Sequence, residues 1–202
     1  MRLQLIKRRV RAAIAILPIL LATMALNAQN TSGSTEYLIK AGFIYNFANL
    51  VQWPSSSFAQ PDSPIVIVIL GEDHFGTTLD RALDGKKVNA RSFVIKRARS
   101  ISELQRTLGP QKDCQILYVS SSEMPHLSDA IQMLKGVPVL TIGETPGFAR
   151  NGGIINLILE DNKVRFEVNV AAAKEADLNI SSRLLALARI VQSSASDSRR
   201  PE

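Results

Sequence analysis

Ile65-Val66-Ile67-Val68-Ile69-Leu70-Gly71 places six apolar residues in a row, five of them β-branched, and closes them with a glycine. A strand with one wet face alternates polar and apolar residues. An unbroken run of this kind fits a strand buried on both faces, as in a parallel sheet with helices on either side. Two further runs have the same form, Gln115–Val119 and Val137–Ile142, the latter followed by Gly143. A shorter strand is expected at Ser92–Lys96. Between the strands, Phe75–Leu83, Ile101–Leu108 and Pro125–Leu134 have helical character, with Pro125 placed in a first turn, where its missing N–H costs nothing. Strands alternating with helices predict a mainly parallel sheet covered on both faces.

On the N-terminal side, Tyr37, Ala41, Ile44, Ala48 and Val51 recur at steps of four and three, and Leu38, Phe43, Phe47 and Leu50 widen the stripe. This predicts a largely buried helix over Glu36–Trp53, stopped by Pro54. On the C-terminal side the rhythm changes. Asn151-Gly152-Gly153 is a turn signal before Ile154–Glu160, and Asp161-Asn162 separates that run from Lys163–Val170. With Asp161 and Asn162 as the turn, Leu159/Val164, Leu157/Phe166 and Ile155/Val168 share one face, and Ile158/Arg165, Asn156/Glu167 and Ile154/Asn169 share the other. A slip of one residue destroys that sorting, so an antiparallel hairpin of defined register is expected. A short helical turn at Ala171–Ala176 follows, then a last helix capped by Ser181 or Ser182 with Leu184, Leu187, Ala188 and Val191 as its stripe. That stripe allows core packing or a homodimer. The fold class expected is α/β: a single-domain three-layer sandwich, mainly parallel, with a C-terminal antiparallel hairpin.

The ends of the chain have a different composition. Arg2, Lys7, Arg8, Arg9 and Arg11 precede an apolar run, Ala12–Leu26, and a small residue, Ala28. That order is a secretory signal peptide over 1–28. Its apolar run, roughly 15 residues broken by Pro18, is short of the roughly 20 that span a bilayer. Residues 29–35 and 193–202 are polar and expected to be disordered, leaving an α/β domain over 36–192. The chain has 24 basic and 18 acidic residues; setting aside the five basic residues of 1–28 leaves 19 against 18, a net of +1. Such a balance excludes nucleic acid as a partner. The lone Cys114 forms no intrachain disulfide and is expected to be a buried thiol.

Chemistry is sparse. Only His74 and His126 are present, and Glu72-Asp73-His74 reads as a solvated loop, since consecutive side chains rarely converge on one metal ion. No Gly-rich phosphate loop and no Gly-x-Ser-x-Gly elbow occur. A hydrolase would have to use Ser120–Ser122 with His74 or His126. A non-catalytic protein without a cofactor is therefore expected. Strand C-terminal ends are where open α/β sheets take ligands, so a small-ligand sensor would use Gly71, Ser120, Ser122, Gly143 and Glu144.

Two blocks carry a resemblance. Glu36-Tyr37-Leu38-Ile39-Lys40-Ala41-Gly42-Phe43-Ile44-Tyr45-Asn46-Phe47, running on to Val51-Gln52-Trp53-Pro54, resembles the opening helix of the YfiR/HmsC-like periplasmic proteins. Gly147-Phe148, Asn151-Gly152-Gly153-Ile154-Ile155, Asn162, Arg165-Phe166-Glu167-Val168-Asn169, Ala173 and Lys174, then Leu178 and Ile180-Ser181-Ser182 to Leu187-Ala188, resemble that family's closing block. The resemblance implies a non-catalytic periplasmic repressor. Its partner would be the periplasmic sensor part of an inner-membrane diguanylate cyclase. An outer-membrane lipoprotein or envelope stress would relieve inhibition and so raise cyclic-di-GMP and biofilm. Contacts are expected near the final hairpin and helix, at Arg165, Glu167 and Arg183. Some relatives carry bridged cysteines, which Cys114 alone cannot match.

Overall fold

The computed structural model describes residues 35–193; the expected signal peptide and the polar segments at 29–34 and 194–202 lie outside the described residues. Helix α1 spans residues 35–50. After it come β1 (Val51–Gln52), β2 (Ile65–Leu70), α2 (Thr77–Leu83), β3 (Phe93–Ala98), α3 (Ile101–Leu108), β4 (Ile116–Val119), α4 (Leu127–Met133) and β5 (Leu140–Gly143). The hairpin is β6 (Ile155–Glu160) and β7 (Lys163–Asn169), and the chain ends with α5 (Val170–Glu175), β8 (Asn179–Ile180), α6 (Ser182–Leu185) and β9 (Arg189–Val191). Seven strands form one sheet in the order β3-β2-β4-β5-β6-β7-β9, parallel except for the β6–β7 pair.

The unbroken apolar runs do what their pattern demands. Ile65, Ile67 and Ile69 of β2 pack with Ile116 and Tyr118 of β4 beneath α1 and α2. Val66, Val68 and Leu70 pack with Leu117 and Val119 against α3 and α4 on the other face. The hairpin has the expected register from Ile155↔Val168 to Glu160↔Lys163. Asp161 (φ 49°) and Asn162 (φ 59°) supply the left-handed turn that a two-residue hairpin of this twist requires.

Three expectations shift. The opening helix stops at residue 50 rather than Trp53, because Val51 and Gln52 pair antiparallel with Ile180 and Asn179. Pro125 lies inside a 3-10 turn over Ser121–His126, and α4 begins only at Leu127. The long last helix is absent: α6 is a single turn, and Arg189–Val191 is a strand parallel to β7, with Glu167↔Arg189, Val168↔Ile190 and Asn169↔Val191. The free backbone edge of β7 needs partners, and the β-branched pair Ile190–Val191 supplies them at the expense of a weak helical stripe.

Candidate functional site

The sheet's switch point lies between β2 and β4, where the chain winds left to β3 and right to β5. The residues expected there do gather at the strand ends, but side chains fill the crevice. Ser122 Oγ accepts from Glu72 N–H at 2.9 Å, and a Cβ on Gly71 would meet that oxygen at 2.5 Å. Ser120 is fully buried. The ring of buried Phe148 lies flat on two glycines: a Cβ would come within 2.3 Å of it at Gly143 and 2.1 Å at Gly153.

Glu144 is bound rather than available. Lys40 Nζ, on the inner side of α1, reaches its Oε2 at 2.6 Å and also pairs with Glu36; the Tyr37 hydroxyl donates to both Glu144 oxygens at 3.1 Å. The Lys40 and Glu144 side chains are only 6% and 8% exposed. Tyr118, below, has its hydroxyl close to Glu144 without a well-formed hydrogen bond among the described residues. Burial first, and then the Glu144 carboxylate, push both phenols well above the usual tyrosine range. Sequence reading missed Lys40, although the Glu36–Lys40 spacing of four residues on a buried helix face was visible.

The hairpin corner is built differently. Glu160, at the turn, receives Arg189 Nη2 at 2.8 Å and Arg165 Nε at 3.6 Å. Glu167 was expected to be exposed, but it is 8% exposed. It accepts from Asn156 Nδ2 at 3.3 Å, directly across the hairpin, and lies 3.8 Å from Arg189 on β9. Addition of β9 beside β7 is what encloses it. Arg165 is exposed, and Arg183 is exposed on α6 with no ion pair among the described residues. The three do not converge. Arg165 and Glu167 point away from the Phe166 face, whereas α6 packs through Leu184 into the core on that face.

Sequence reading also missed the apolar part of this corner. Leu187 is 75% exposed, Leu159 54% and Ile190 52%. Phe43, Val164, Phe166, Leu187 and Ala188 line a groove of about 390 Å³ between α1, the hairpin and the segment entering β9. Once Leu187 and Val191 are assigned to a helix stripe, this patch disappears from view; the Ile190–Val191 pair was the signal against it.

The remaining candidates are structural. Asp73 Oδ1 accepts from Phe75 and Gly76 N–H at 2.9 and 3.1 Å, and its Oδ2 receives Arg97 Nε at 2.7 Å. His74 stands 3.9 Å from Glu72, and His126, 54% exposed, stands 3.2 Å from Glu123. No group of three His, Cys, Asp or Glu among the described residues could hold a metal ion. Burial pushes the Cys114 thiol up to about 12, and its Sγ donates to Ile116 O at 3.1 Å, so it is protonated and inert at neutral pH. Among the described residues no helix is long and apolar enough to cross a membrane.

A family model described as YfiR/HmsC-like matches residues 37–189, which is more than half of the chain. No curated protein matches the sequence. Among solved structures, the ABC domain in complex with L-Trp from Streptococcus pneumonia is similar with a TM-score of 0.50 at 10% identity. The likeness covers 63% of this chain and 55% of that one, and at such identity it concerns the fold alone.

Proposed function

The chain belongs to the YfiR/HmsC-like family, and from that premise we propose that it is a periplasmic repressor of an inner-membrane diguanylate cyclase. It binds the cyclase's periplasmic sensor part, holds cyclic-di-GMP synthesis down and limits exopolysaccharide and biofilm. The family match over residues 37–189 carries this reading. The hairpin corner supports it, because apolar side chains left in water beside exposed cations are how protein-binding surfaces are made. Arg165 is a contact residue at its rim, Arg183 on α6 is a further contact outside that groove, and buried Glu167 holds Arg189 in place.

Repression needs unequal affinity. A protein that binds two sensor conformations equally shifts nothing, however tightly it binds. The repressor therefore recognises the inactive sensor, and an outer-membrane lipoprotein relieves inhibition by competing for the same protein. The reading of a small-ligand sensor at the strand ends gains no support from a crevice filled by Phe148, Ser122, Lys40 and Tyr37.

The test is capture from detergent-solubilised envelope, with cyclic-di-GMP measured in parallel. Recovery of a membrane diguanylate cyclase, lost when its periplasmic part is deleted, together with raised cyclic-di-GMP in cells lacking the protein, is the expected result. Unchanged cyclic-di-GMP in those cells sinks the repressor reading.

A further inference from the structure

Charge is divided unevenly across the sheet. Residues 80–106, which hold the second half of α2, all of β3 and most of α3, contain eight basic and three acidic residues, a net of +5. The other described residues hold nine basic against thirteen acidic, a net of −4. The basic part is also one place in the fold. β3 is the terminal strand of the sheet. Arg97 ties α2 to it, reaching Asp80 at 2.6 Å and Gly76 O at 2.9 Å, and α3 packs on the opposite face.

Most of these cations face water without a carboxylate. Arg97 is held by Asp73 and Asp80, and Arg91 is stacked on Phe58. Arg81, Lys86, Lys87, Lys96, Arg99 and Arg106 have no ion pair among the described residues, and all but Lys96 are exposed. They follow the edge from Lys86 and Lys87, in the connection before β3, to Arg99 just beyond it, a span of about 20 Å for six residues of strand. Charge on an edge strand keeps it from pairing with another copy, but only Lys96 and Arg97 lie on the strand itself. That role does not account for Arg81, Lys87 and Arg106 on its flanks.

We propose that the β3 edge rests on an anionic phospholipid surface. A small anion is the wrong occupant, because the groove beside this edge, about 290 Å³, is lined by Asp80 and Asp84 as well as Lys86 and Lys87. A protein interface closes over an apolar centre depleted of charge, and here Val94, 38% exposed, is the sole large apolar side chain in water among the described residues of the edge. Separated cations along an outer edge match a broad, laterally mobile array of negative headgroups. On the periplasmic reading above, which this inference uses only to say which membrane is meant, the surface is the membrane that holds the cyclase. β9 lies at the other end of the sheet, six strand spacings or about 30 Å away. The hairpin corner therefore faces away from the lipid and stays free for the sensor, while lipid contact concentrates the repressor beside its target.

The probe is a vesicle of phosphatidylcholine with about one-third phosphatidylglycerol, sedimented with the protein purified without residues 1–28, whose apolar run would itself enter lipid. Binding is expected to these vesicles and not to pure phosphatidylcholine, and it should fall at least about tenfold between roughly 50 and 300 mM salt. Lys87→Glu with Arg99→Glu should weaken it at least about tenfold. Lys135→Glu with Lys174→Glu makes the same change in net charge at exposed sites away from the edge, and should leave binding within about twofold. If the first pair does not fold, Arg81→Gln with Lys87→Gln replaces it, again with weakened binding expected. No binding, equal binding to the neutral vesicles, indifference to salt, or equal loss in the edge and control pairs each overturns the inference. No cyclase is present in this experiment. Failed cyclase capture therefore leaves lipid binding standing, and failed lipid binding leaves cyclase capture standing.

Discussion

Both the strand ends under α1 and the hairpin corner combine charged pairs with apolar side chains, yet the two regions bury them to different degrees. Under α1, Lys40 and Glu144 are closed off from water; on the opposite face of the same strand ends Phe148 is fully buried and the glycines around it leave it no slack. At the corner, Arg165 and Arg189 are more than half exposed, and Leu159, Leu187 and Ile190 sit in water. The strand ends that topology offers are packed with side chains, while the corner beside β9 keeps apolar side chains in water. Residue type does not distinguish the two regions. Desolvation does: it makes the first set costly to disturb and leaves the second available to a partner.

The largest effect should come from breaking the first region. Lys40→Ala leaves the Glu144 carboxylate enclosed with the Tyr37 hydroxyl still donating to it. Removing one member of a buried pair costs about 3 kcal/mol, at the lower end of the usual range because that donor remains. A drop of this size in the urea unfolding free energy is expected. A loss below about 1 kcal/mol would place the pair with solvated surface pairs and erase the contrast.

A smaller effect is expected from pH. Burial, then the Glu144 charge, keeps Tyr37 and Tyr118 protonated in the folded state beyond the ordinary value of 10.0. In the unfolded chain both ionise near that value. A group whose folded value is raised gives stability that is fully present below the unfolded value and lost as pH rises past it. Unfolding free energy should therefore be flat through neutral pH and fall above about pH 10, with a shallower fall in Tyr118→Phe. An unchanged slope in that variant would mean that the phenol is reached by solvent.

What the sequence made legible divides along the same line. The Ile65–Leu70 run and the β6–β7 register were readable because each rests on a short-range pattern: continuous burial in one, period two with an Asp-Asn turn in the other. The strand ends were placed correctly in space, but Phe148 over Gly143 and Gly153, and Lys40 against Glu144 at 104 residues' separation, are tertiary events with no local signature. At the corner a local pattern misled. Leu184, Leu187, Ala188 and Val191 do fit a helix stripe, and only the unpaired edge of β7 converts their second half into β9. Once that conversion is missed, Leu187 and Ile190 read as buried, Glu167 reads as exposed, and Arg189 goes unnoticed as the link between Glu160 and Glu167.

The smallest expected stability change is therefore the most informative about function. Leu187→Asp and Ile190→Asp alter side chains that are already 75% and 52% exposed, so each should shift the unfolding free energy by no more than about 0.5 kcal/mol. If the corner is where the cyclase sensor docks, the same variants should lose its capture, because a charge placed in a closing apolar contact must be desolvated without a partner. Arg165→Ala, at the rim, should weaken capture less and mainly slow association. Normal stability with normal capture in both aspartate variants would move docking away from the corner. Lost stability would show instead that Leu187 and Ile190 hold β9 in place and that their exposure is incidental.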